Sequence, residues 1–194
     1  MKFNIGDKAV VPSHGVGVIK EIQSLSIDGF ESSFYIIKIL DNGMTYSVPV
    51  EKVEAKAIRE VMTPDDIKVV FEVLADRTTP PDKQTWNRRY REYTNRIGTG
   101  IPSEVAAVLR DLAILKSEKT LSFGERKMYD RAFSLIVQEI AVAEDVTEDA
   151  IEKKINALFD KLAKLAEKEG GGPKGKKKAA RPKAEEKEEE KSEE

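Results

Sequence analysis

The densest chemistry in the sequence lies between Lys83 and Arg96. This stretch, KQTWNRRYREYTNR, carries five basic residues and one acid in a chain whose formal net charge is −2. Guanidinium forks donate paired hydrogen bonds to phosphate, and an indole flanked by phenols offers flat faces on which bases stack. If this basic face lies on a duplex backbone, the adjacent Trp86 is placed to wedge against or between bases that are already opening. Lys83, Trp86, Asn87, Arg88, Arg89, Arg91 and Arg96 are the candidate DNA contacts.

Catalysis finds no comparable set. With Cys 0 and His 1, thiol chemistry, disulfides, zinc sites and histidine triads lack their ligands or bases, and neither metal nor cofactor is expected. His14 stands alone between Pro12 and Gly15, which suits a turn or packing role. Gly170 to Lys177 spells G-x-x-x-x-G-K, but Lys177 sits where a Ser or Thr would hold magnesium, so the match is by chance. Asp65-Asp66 and Glu144-Asp145 are adjacent carboxylates that point different ways on a helix and fit caps and loops better than acid–base work. No enzyme is expected.

Projected at about 100° per residue, Trp86, Tyr90, Tyr93 and Ile97 share a narrow arc, with Arg88 and Arg91 opposite and Arg89 and Arg96 flanking. Periodicity alone leaves two readings, a packed aromatic stripe with a solvated arginine face or a nucleic-acid surface. A first-turn position would let Trp86 project past its own bundle while Tyr90 and Tyr93 stay packed.

Two kinds of element must position these groups. From Met1 to about Val53 the residues alternate and favour Val, Ile, Phe and Tyr. Strands are predicted over 7–11, 16–27, 34–40 and 44–50, with turns at Ser13-His14-Gly15, Asp28-Gly29 and Asp41-Asn42-Gly43. Such a meander suits a small Tudor- or SH3-like barrel. Beyond Lys56 come helix starts: Thr63-Pro64-Asp65-Asp66, Pro80-Pro81-Asp82, Pro102-Ser103, the capping box Ser122 to Glu125, and Thr147. The fold class is therefore α+β, an N-terminal barrel over residues 1–56 followed by a five-helix domain over 63–169.

The tail from 170 to 194 runs Lys-rich and then Glu-rich, without an apolar residue larger than Ala, and disorder is expected there. The N-terminus lacks an apolar leader and no run of apolar residues is long enough to span a bilayer, so a cytoplasmic protein without membrane contact is expected. Residues 1–56 hold six lysines, seven acids and no arginine, which gives the barrel no basic groove.

Five stretches, FNIGDKAVVPSHGVG from Phe3, GMTYSVP from Gly43, TWNRRYREY from Thr85, VAAVLRDL from Val105 and LSFGERKM from Leu121, resemble the CarD/CdnL family of bacterial RNA polymerase-binding transcription regulators. The resemblance implies a Tudor-like domain that docks on the polymerase β subunit. It also implies a helical domain whose tryptophan, Trp86 here, wedges into promoter DNA at the upstream edge of the transcription bubble and stabilises the open complex. Leu25, Ile27, Ile39, Met44, Tyr46, Ser47 and Pro49 are the corresponding polymerase-contact candidates. Some members carry arginine where this chain has Ser47, which shifts the expected contact toward strand addition and apolar packing. A monomer is expected. The alternatives are a stand-alone nucleic-acid-binding protein and an adaptor that engages a protein through Trp86 and its arginines.

Overall fold

The structure, a computed structural model, describes residues 2–27, 30–78 and 84–168, with backbone only at 27, 30, 31 and 166–168. The Asp28-Gly29 turn, the Pro80-Pro81-Asp82 start with Lys83, and the charged tail from 170 onward lie outside the described residues.

The alternating N-terminal residues form five antiparallel strands, Lys8–Val11 (β1), Gly15–Ile27 (β2), Phe30–Ile39 (β3), Thr45–Pro49 (β4) and Arg59–Glu60 (β5). They lie in the order β4-β3-β2-β1-β5. Alternation sends Ile19, Tyr35, Ile37, Ile39 and Val48 to one buried face, where they pack with Phe3, Val53 and Ile58. A bulge at Lys20 shifts the β2–β3 register between Ile19 and Glu21 and bends the sheet around that core. The phenol oxygen of Tyr35 accepts hydrogen bonds from the backbone N–H groups of Lys2 and Phe3, each at 3.1 Å, which pins the N-terminal segment over the core.

The expected barrel does not close. β4 and β5 are opposite edges of one sheet, and β5, only two residues long, pairs with β1. The Phe3 segment and the 3-10 turn Val50–Lys52 cover the core where a closing ladder would run. At the β3–β4 turn Gly43 takes a positive φ of 68°, while Asn42 does not and instead accepts the Met44 N–H through its side chain at 3.0 Å.

The helices are Pro64–Ala75 (α1), Trp86–Thr99 (α2), Pro102–Glu118 (α3), Phe123–Glu144 (α4) and Glu148–Lys168 (α5). Ser122 forms the expected capping box with Glu125 as its third helical residue, and the expected N-cap at Thr63 proves to be a capping box as well, with Asp66 in that position. The second helix starts later than its proline pair suggests: Thr85 is extended, and its carbonyl accepts the first helical bonds from Arg88 and Arg89. Apolar residues from all five helices, among them Leu74, Tyr93, Leu109, Ile136 and Ile151, fill a second core. Among the described residues no helix is long and apolar enough to cross a membrane.

Arg59 ties the sheet to the helices. Its guanidinium forms a two-pronged ion pair with the buried carboxylate of Glu139 in α4 and donates from Nε to the carbonyl of Gly100 at 2.7 Å. Glu139 also accepts the Met62 N–H at 3.1 Å. Truncating one partner of a buried pair leaves the other charge unanswered. Glu139→Ala is expected to cost roughly 3 kcal/mol, the lower end for buried pairs because Arg59 keeps 26% of its side chain exposed, read as a lowered denaturant midpoint.

Candidate nucleic-acid interface

The late start of α2 puts Trp86 at its first helical position. The ring lies across the first turn of α4, close enough that a Cβ on Gly124 would sit 2.9 Å from the indole Cζ2 and 3.0 Å from Nε1. Only a residue without a side chain permits that approach. On its other sides the indole meets the Arg89 guanidinium, 5.5 Å from the ring centroid, and the Tyr90 ring, 5.6 Å away at 59°. Trp86 packs on the helical core yet remains partly exposed.

Arg89 is fixed from behind. It is buried, donates from Nη2 to Glu125 Oε1 at 2.7 Å and from Nε to the Gln84 carbonyl at 3.2 Å. Glu125 is itself the capping-box acid of α4: its Oε2 accepts the Ser122 N–H at 2.9 Å, and Lys119 approaches Oε1 at 3.4 Å. Burial alone would raise the Glu125 carboxyl, but the bonds from Ser122 and Arg89, with the Lys119 charge, outweigh it and hold the pKa at about 2.

The predicted DNA residues therefore separate. Asn87, Arg88 and Arg91 are exposed. Arg96 pairs with Glu92 at 2.8 Å and lies 3.5 Å from Glu104, so it serves the α2–α3 surface. Arg89 faces inward and holds the indole. Lys83 lies outside the described residues. Tyr90, expected to pack beside Tyr93, is 49% exposed, because it shares the solvent side of the indole while Tyr93 enters the core.

The predicted protein-binding residues separate as well. Leu25 and Met44 are 47% and 57% exposed, Ser47 is exposed, and Tyr46 and Pro49 are half-buried. Ile39 is corrected: at 2% exposure it points into the sheet's own core, as its alternation with Tyr35 and Ile37 requires. Ile27 lies at the end of β2 in backbone only. Opposite the core, Ser47 pairs beside Ile36 and Pro49 beside Phe34, and β4 is a free edge.

Two family models match. One, described as CarD-like/TRCF RID domain, covers residues 3–62, and the other, CarD, C-terminal domain, covers 69–156. YdeB of Bacillus subtilis (strain 168), a candidate transcription factor by its name, is 33% identical over 153 residues, which span 77% of this chain and 97% of YdeB. The chain belongs to the CarD/CdnL family. Among solved structures, CdnLNt from Myxoccoccus xanthus is 40% identical over 32% of this chain and 87% of its own, with a TM-score of 0.28.

In this CarD/CdnL chain, sequence reasoning missed what surrounds the indole. The SFGE box signalled only a helix cap, yet it also sets Phe123 at the first helical position, 85% exposed, and Gly124 beneath the ring. Phe34 and Ile36 were legible only through register.

Trp86 is the sole tryptophan, so its fluorescence reports this site directly. Gly124→Ala, which favours the helix but places a methyl against the ring, is expected to lift the indole off α4. The check is a red-shifted emission and stronger acrylamide quenching at unchanged helix content. Because the folded pKa of Glu125 lies below its ordinary 4.5, its contribution is present above about pH 4.5 and fades as pH falls toward 2. The same red shift should appear across that window and be absent from it in Glu125→Gln.

Proposed function

We propose that this protein docks on the β subunit of RNA polymerase through its sheet and stabilises the promoter open complex by wedging Trp86 at the upstream edge of the bubble. The observation that carries this reading is the held indole: partly exposed, fixed by Arg89 and Gly124, and flanked by the exposed Tyr90 ring, with exposed Arg88 and Arg91 on the same helix. A wedge must resist being pushed aside when strands re-anneal, and a ring clamped on three sides loses little conformational entropy on insertion. The neighbouring cations would engage phosphate without reading sequence.

For the docking half, the support is the free edge of β4 with Ser47, and beside it a partly apolar outer face with Leu25, Phe34, Ile36 and Pro49. An unpaired edge offers backbone hydrogen bonds to an added strand, and such addition asks for no arginine at position 47. Tethering through this surface raises the effective concentration of a weak DNA contact, so neither contact needs to be tight alone.

Trp86→Ala is expected to shorten open-complex lifetime roughly tenfold, within the range of one lost base–aromatic stacking contact. Polymerase binding should be unchanged. Ile36→Glu should have the reverse profile, losing polymerase and keeping affinity for forked promoter DNA. An unaltered bubble lifetime with Trp86→Ala removes the wedge.

A further inference from the structure

Beside the indole, between the sheet and α4, lies a cleft of about 520 Å³. It is continuous with the wedge: Gly124 lies beneath the Trp86 ring and also lines the cleft, and Tyr90 stands at 5.6 Å from Trp86 while forming another part of the wall. Met128 and Leu135 give it apolar surface, and Asn42, Ser134 and Gln138 add amide and hydroxyl groups. Lys127 and Arg131, both exposed and one helical turn apart on α4, supply cations. Arg131 uses one of its donors on the Ser13 carbonyl at 2.9 Å, and its guanidinium carries four more.

A stacking ring, polar edges and a pair of cations on one wall are the parts of a single-strand site. The volume falls within the usual range for pockets that enclose small ligands, enough for one or two nucleotides. Asp41 on the sheet side would repel phosphate, which orients a strand with its backbone toward α4 and its base toward Tyr90.

We infer that this cleft receives the first unpaired nucleotides of one DNA strand as it leaves the duplex at Trp86. The inference rests on the reading of Trp86 as a wedge and adds a second element to it: the indole parts the strands, and the cleft holds one of them apart.

The test uses the full chain with plain duplex DNA and with a fork whose first unpaired position, on one arm or the other, is 2-aminopurine. Wild-type protein should prefer the fork and quench the probe on one arm only. Ser134→Phe, which fills the cleft from an exposed position away from Trp86, is expected to lower the fork-over-duplex preference about tenfold, abolish the quenching and leave duplex affinity unchanged. Lys127→Gln should also weaken fork binding and lower its salt slope by about one contact, and it decides the matter if Ser134→Phe fails to fold. Wild-type preference and quenching in both variants would overturn the cleft. If instead the two cleft variants lose fork preference while Trp86→Ala retains it, the wedge fails and the cleft stands.

Discussion

Glu125 is the group on which the setting of Trp86 depends. A carboxylate buried at the start of a helix is costly unless its lone pairs are answered, and here the Ser122 N–H, Arg89 and Lys119 answer them. The same group that caps α4 thus draws Arg89 inward from α2 and sets the guanidinium against the indole. Helix capping, helix packing and the pose of Trp86 become one electrostatic event. Burial deepens that dependence: with solvent excluded, loss of either partner leaves a charge that water cannot reach.

Near the other end of α4 a second buried carboxylate, Glu139, plays the corresponding part for the sheet. It receives the Arg59 fork and the Met62 N–H, while Arg59 also reaches the Gly100 carbonyl beyond the C-terminus of α2. The two acids stand fourteen positions apart, about 21 Å along the axis at 1.5 Å per residue. One end of α4 fixes the beginning of α2 and the other fixes its end together with β5. The indole and the β5 edge of the sheet are therefore held by the same helix, which gives the indole a defined position relative to the sheet.

Much of this was legible from sequence because the signals were local. The N-cap at Thr63, the capping box at Ser122, turn residues at Ser13 and Gly43, and alternation in β2 and β3 each depend on neighbours a few positions away. What escaped depends on partners far along the chain. Barrel closure is decided by which edges meet, and β5 found β1 and left β4 free. The resemblance implied Ile39 as a contact residue, but strand alternation with Tyr35 and Ile37 commits it to the core. The start of α2 was placed too early because a proline pair usually opens a helix, whereas here the first bonds go to the Thr85 carbonyl.

The arginines of TWNRRYREY show why residue type is a weaker guide than position. Arg88 and Arg91 are exposed, whereas Arg89, between them in sequence, turns about 100° further round the helix from Arg88 and meets Glu125 thirty-six residues on. An exposed arginine contributes through long-range, salt-screened attraction to phosphate; a buried one contributes by fixing geometry and is insensitive to salt. A patch counted as uniformly basic would overstate its phosphate contacts and understate the rigidity of its tryptophan. For the proposed wedge, rigidity matters more than charge, since a ring free to swing aside would yield to re-annealing strands whatever the charge beside it. Arg89, paired with Glu125, therefore contributes to this surface through the indole that it holds.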